Sequence, residues 1–138
     1  RMEALSDDEC SRLRVRIRDA PATAAGGAHV RVDVEVRNQL AVSLGTFPPY
    51  PVDLSYRWLD ASTGEPVIAE GTRTPLPAIA PGESVVHSMK VSTPPRAGSY
   101  RLRIALVQEG LRWLDYLDPP VGDDVIVSVA TPSGSRPA

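Results

Sequence analysis

The stretch Pro95-Arg96-Ala97-Gly98-Ser99-Tyr100-Arg101-Leu102-Arg103-Ile104-Ala105-Leu106-Val107 decides the fold class of this 138-residue chain. Tyr100, Leu102, Ile104 and Leu106 alternate with Arg101, Arg103, Ala105 and Val107, the two-residue period of a strand with one apolar face. The Pro-x-x-Gly-x-Tyr entrance matches a tyrosine corner, in which the phenol folds back to hydrogen-bond an upstream backbone group. Such corners belong to two-sheet β-sandwiches, so this strand is expected in the centre of one.

The same period recurs on both sides. Val30, Val32, Val34 and Val36 alternate with charged residues, and Val52, Leu54, Tyr56 and Trp58 alternate with Asp53, Ser55 and Arg57, which points Trp58 inward. Leu13, Val15 and Ile17 alternate with Arg14, Arg16 and Arg18; Val85, His87, Met89 and Val91 share one face, as do Val125, Val127 and Val129. Turn chemistry at Ala61-Ser62-Thr63-Gly64 lets the chain return as a short edge strand. The predicted strands are 13–18, 30–37, 52–59, 67–72, 84–91, 99–108 and 125–130. Fourteen prolines and ten glycines leave little room for helices.

The expected fold is therefore all-β, a seven-stranded antiparallel immunoglobulin-like β-sandwich over residues 13–130. Its core should include Val32, Val34, Leu54, Trp58, Tyr100, Leu102, Ile104 and Val127. Residues 1–12 are expected to be a linker or a short helical turn, since Ser6-Asp7-Asp8-Glu9 has capping-box spacing. Residues 131–138, small and proline-bearing, are expected to be a disordered tail. The proline-rich segment Gln39–Pro51 reads as a loop carrying Phe47 and Tyr50.

Charge and composition narrow the function. Fifteen basic and seventeen acidic residues are interspersed at a net charge of −2, which gives no footprint for a nucleic-acid backbone. No segment has the roughly 20 apolar residues of a membrane span, and the N-terminal residues lack the apolar core of a signal peptide. The single cysteine, Cys10, excludes an internal disulfide and suits a cytoplasmic location. Arg14, Arg16 and Arg18 on one strand face fit either a solvated face or an anion site.

Catalytic constellations are missing. Two histidines and one cysteine are too few and too scattered for a metal centre, no Gly-x-Ser-x-Gly elbow occurs, and no glycine-rich phosphate loop follows a strand. The acidic run Asp115, Asp118, Asp123 and Asp124 leaves three readings open: a carboxylate pair, a calcium site, or a hydroxyl-binding loop. No enzymatic activity, cofactor or metal is expected. Trp113 stands with Tyr116, Gln108, Glu109, Arg112, Asp115 and Asp118, the aromatic-plus-polar composition that recognises a sugar ring. A Trp113 that caps the core fits the same pattern.

Several segments together look familiar: Val52 to Asp60, Thr74-Pro75-Leu76-Pro77, Ala80-Pro81-Gly82-Glu83, Gly98 to Leu102, and Leu106 to Trp113. Over roughly Val30 to Val129 the set resembles a bacterial immunoglobulin-like accessory module, of the kind appended to glycosyltransferases, methyltransferases and other surface-polysaccharide assembly proteins. More distantly it is similar to the carbohydrate-binding C-terminal domain of O-antigen ABC transporters. The Gln-Glu-Gly-x-x-Trp element is intact as Gln108, Glu109, Gly110 and Trp113, whereas Phe47 replaces the tryptophan usual in the loop after the second strand. The resemblance implies a non-catalytic carbohydrate-binding module. Its expected ligand-binding residues are Trp113, Tyr116, Asp115, Asp118, Gln108, Glu109, Phe47 and Tyr50, and its partner a glycan. The alternative is a protein–protein or homodimerisation module, which could pair through the edge strand near Val67 or the Phe47 loop.

Overall fold

The structure, a computed structural model, describes residues 3–132. In chain order it contains α1 (Asp7–Cys10), β1 (Leu13–Asp19), β2 (Thr23–Ala25), β3 (His29–Asn38), β4 (Val52–Asp60) and β5 (Pro66–Ile68). There follow β6 (Thr74–Pro75), β7 (Ser84–Ser92), β8 (Gly98–Gln108), β9 (Arg112–Trp113) and β10 (Gly122–Ala130). Two sheets form: β1-β3-β7, and β2-β10-β8-β4-β5 with β6 added to β4 and β9 to β8. The architecture is an all-β sandwich.

The alternation read from the sequence is what closes it. Val32, Val34 and Val36 of β3 and Met89 and Val91 of β7 face Leu54, Tyr56 and Trp58 of β4 and Leu102, Ile104 and Leu106 of β8. All eight expected core residues are buried. Trp58 is fully enclosed, lies edge-on to Tyr100 with ring centroids 6.1 Å apart, and donates its indole N–H to the Ser92 carbonyl at 2.8 Å. The Tyr56 hydroxyl accepts from the Ser92 amide at 3.1 Å, so two aromatics of the larger sheet engage the backbone of β7 across the core. Tyr100 donates to the Arg96 carbonyl at 2.7 Å, which completes the tyrosine corner.

Four features depart from the expectation. The described residues hold ten β elements instead of seven, and one pairing is parallel: Thr23–Ala25 runs beside Ser128–Ala130. These small residues carry no alternation a reader could see. The strand expected over 67–72 is confined to Pro66–Ile68; the chain bends at 69–70 and meets β4 again where the Gly71 amide donates to the Tyr56 carbonyl at 2.9 Å, so close to the Tyr56 ring that a Cβ there would lie 2.6 Å from Cε2.

Residues 1–12, expected as a linker or a short helical turn, form the turn over Asp7–Cys10, but the described ones pack on the sandwich, where the expected domain began at 13. Ser6 and Glu9 do form the reciprocal capping box, at 3.1 and 2.9 Å, but the turn they start also buries Leu5 and Cys10 in the core. Lastly, the outer face of the larger sheet is largely covered: Asp53, Ser55, Ala105 and Val107 are all buried. Thr131 and Pro132 are the last described residues, and the rest of the expected tail, 133–138, lies outside them. No helix among the described residues is long and apolar enough to cross a membrane.

Candidate functional site

Two segments cover that outer face: residues 71–75 beside β4, where the Ser55 hydroxyl donates to the Gly71 and Thr72 carbonyls, and the connection between β8 and β10. Beyond Gln108 the chain turns at Gly110, whose φ of 74° lies in the left-handed region that glycine alone enters without cost. It then runs back as β9, with Trp113 opposite Val107 and Arg112 opposite Gln108. The Leu114 amide bonds the Leu106 carbonyl at 2.9 Å, and the Val121 amide bonds the Leu114 carbonyl at 3.1 Å. Those two bonds pinch residues 115–120 into an excursion, after which β10 resumes pairing at Gly122.

Register fixes what lies beneath the excursion. Arg57 of β4 is opposite Arg103 of β8, which is opposite Asp124 of β10; one step along, Leu59 is opposite Arg101, and Arg101 opposite Ile126. Asp115 drops onto this row and is almost fully buried. Its carboxylate accepts from Arg57 Nε at 2.8 Å and Nη2 at 3.4 Å, while Arg103 Nη1 approaches to 3.8 Å. Arg103 in turn donates to both Asp124 oxygens, at 2.9 and 3.1 Å, and Arg101 reaches Asp124 at 3.6 Å. Three guanidinium groups and two carboxylates thus form one lattice across three strands, held by bidentate charge-assisted bonds.

Trp113 is half-buried beside this lattice. The Arg57 guanidinium carbon lies 3.7 Å from the indole centroid and that of Arg73 5.2 Å away, so the ring is engaged by intramolecular cation–π contacts. Arg73 is anchored to Glu109 at 2.9 Å and Glu70 at 2.6 Å. The neighbouring Asp53 carboxyl, with partial burial, pushes the Glu109 carboxyl above its ordinary range.

The expected site residues therefore separate. Tyr116 is 64% exposed and stands over the lattice edge, accepting from Arg112 at 3.2 Å; Asp118 is exposed nearby in the chain. Asp115, Trp113 and Glu109 belong to the framework under it. Gln108 is fully buried: its Oε1 accepts from the Leu5 amide at 3.0 Å and its Nε2 donates to the Glu3 carbonyl. Arg112 Nη2 donates to the Leu5 carbonyl at 2.7 Å. Gln108 and Arg112 therefore clamp the N-terminal segment to the sandwich, which removes Gln108 from any solvent-facing surface. Phe47 packs against Gly45, and Tyr50 packs on the core with its hydroxyl 3.4 Å from Glu3, so neither joins the Tyr116 region.

Beside Tyr116 the sheet is open. A groove of about 420 Å³ is lined by Leu59, Pro66, Arg57, Arg101, Arg103, Asp115 and Tyr116. Arg57, Arg101 and Arg103 are the members that reading the sequence missed, because outward arginines on separate strands are brought together only by register. Among the described residues no three His, Cys, Asp or Glu side chains converge as metal ligands do. Of the acidic run, Asp115 and Asp124 are held by arginines, and Asp123 accepts from the Ile17 amide at 2.8 Å.

No protein-family model and no curated protein matches the chain. Solved structures do. The CARDB domain of a Pyrococcus furiosus protein, solved with di-metal ions, superposes at a TM-score of 0.53 and 17% identity, covering 86% of this chain and 93% of that one. A β-glucosidase from Listeria innocua, in complex with glucose, gives 0.53 at 12% identity over 87% of this chain, which corresponds to only 16% of the enzyme. A Pseudomonas fluorescens alkylpurine DNA glycosylase bound to abasic-site DNA gives 0.51 at 11% identity, with 87% of this chain matching 31% of that one. At these identities the similarity establishes the fold alone.

Proposed function

We propose that the chain is a non-catalytic carbohydrate-binding module of immunoglobulin-like type, and that its glycan lies in the groove beside Tyr116. The observation that carries this reading is an exposed aromatic plane next to a pre-ordered row of guanidinium and carboxylate groups. A sugar presents a C–H face and a rim of hydroxyls, and it needs both partners at once. Arg101 has 41% of its side chain exposed and only a 3.6 Å contact to Asp124, so it retains donors for a ligand. The lattice beneath is already paid for in folding, which suits a rigid binding surface.

In this reading β1, β3, β4, β5, β7, β8 and β10 are the seven strands of the immunoglobulin frame, and β2, β6 and β9 are additions to it. The frame recurs as a small part of a glucose-complexed β-glucosidase, which supports an accessory role. The resemblance of Val52–Asp60 and Leu106–Trp113 to accessory modules of surface-polysaccharide assembly supplies the parent context, and an unpaired Cys10 suits the cytoplasm. The reading is tested on an array of bacterial surface-polysaccharide fragments. Binding that is lost in Tyr116→Ala and Arg101→Ala, with unchanged melting, supports it; an array with no saturable ligand refutes it.

A second reading, pairing with another chain, is favoured by β7. Among the described residues this nine-residue strand has no strand on its second edge, and it carries Val86, which is 62% exposed. Concentration-dependent sedimentation that Val86→Lys abolishes would favour it.

A further inference from the structure

The outer face of the three-stranded sheet concentrates charge that the net value of −2 conceals. With Val15, Val32, Val34 and Val36 inward, the outward positions hold Arg14, Arg16, Arg18, Arg31, Arg37 and Lys90, against Asp19, Asp33 and Glu35. Arg18 is paired with Glu35 at 3.2 Å, and Arg31 with Asp33 at 2.9 Å. Arg14, Arg16 and Arg37 have no ion pair among the described residues. Arg14 and Arg37 are moreover directly opposite each other on β1 and β3, a like-charge placement that destabilises a sheet unless an anion bridges it. These three arginines, with Val15 and Glu35, line one groove of about 320 Å³.

We propose that this groove is a binding site for a phosphate monoester, separate from the surface beside Tyr116. Three forked donors need three acceptors. A carboxylate offers two oxygens and one charge, whereas a terminal phosphate offers three oxygens and a charge near −2. That matches three unpaired guanidinium groups beside a Glu35 carboxylate that Arg18 already occupies. A long polyanion fits less well, because a chain laid along β3 would pass over Glu35 and Asp33 on its way from Arg37 to Arg31. The outward residues of β1, β3 and β7 also include no Phe, Tyr or Trp on which bases could stack.

The test is an NMR titration of the ¹⁵N-labelled protein with glucose 6-phosphate and, separately, inorganic phosphate, two arms that distinguish an esterified from a free source. Acetate, heparin and an oligonucleotide serve as the carboxylate and polyanion arms. Saturable shifts of the Val15, Arg16 and Val36 amides in a phosphate arm, with Kd about 1 mM or tighter, are expected. Arg14→Gln and Arg37→Gln should each weaken binding about tenfold, while Arg96→Gln, an equal loss of charge elsewhere, should not. The proposal is overturned if no phosphate arm saturates, if acetate binds equally well, if only the polyanions bind, or if Arg96→Gln weakens binding as much as the groove variants.

Discussion

Replacing Gln108 with methionine isolates the clamp on the N-terminal segment. Methionine keeps the length and approximate volume of the side chain but removes both polar atoms. The Leu5 amide, on a residue 1% exposed, then loses its acceptor where water does not reach, at about 1–3 kcal/mol. The Glu3 carbonyl belongs to an exposed residue and recovers water, so its loss is nearer 1 kcal/mol. Together the substitution should cost about 2–4 kcal/mol, or roughly 6–15 °C in melting temperature for a domain of this size. Urea unfolding followed by tryptophan fluorescence measures it, with Trp58 as the buried reporter. Hydrogen exchange should show amides 5–10 losing protection while β3 and β8 keep theirs. A midpoint within about 0.5 kcal/mol of the parent, or segment 3–10 still protected, would refute the clamp.

Other outcomes follow from single contacts. Trp58→Ala should cost about 3–5 kcal/mol in denaturant unfolding, through the cavity and the stranded Ser92 carbonyl. Cys10 is fully enclosed, and burial pushes its thiol up despite the nearby Arg112, so alkylation of the native protein should be slow and should speed up in Gln108→Met. Glu109 holds its proton more tightly folded than unfolded. The stability it contributes is complete below the ordinary glutamate range and declines as pH rises through the raised value; Glu109→Gln should flatten that slope in melting curves.

How far the sequence could be read depended on what period two can carry. It identified β1, β3, β4, β7, β8 and β10, because each has one face in the core, and the Tyr100 corner, because its residues are local. It did not carry the covering of the outer face. Asp53, Ser55 and Arg57 look like the wet side of β4, yet Asp53 and Ser55 are buried: the Ser55 hydroxyl donates to the Gly71 and Thr72 carbonyls, and Asp53 accepts from the Thr46 hydroxyl and lies opposite Pro75. Nor could it separate the roles within Gln108–Tyr116. Gln108 lies inward, Glu109 and Trp113 are tied to arginines distant in sequence, and of the expected site residues in this stretch Tyr116 is the one that faces water. Which arginine meets which aspartate is a matter of register across β4, β8 and β10, and no local pattern encodes it.

Mapping a bound glycan onto the backbone tests the groove beside Tyr116 most directly. In ¹⁵N-edited spectra recorded with surface-polysaccharide oligosaccharides, saturable shifts should centre on Arg101, Arg103 and Tyr116 and vanish in Tyr116→Ala, whose melting temperature stays that of the parent. Shifts centred instead on the Phe47–Tyr50 loop, or none that saturate with any oligosaccharide, would contradict it.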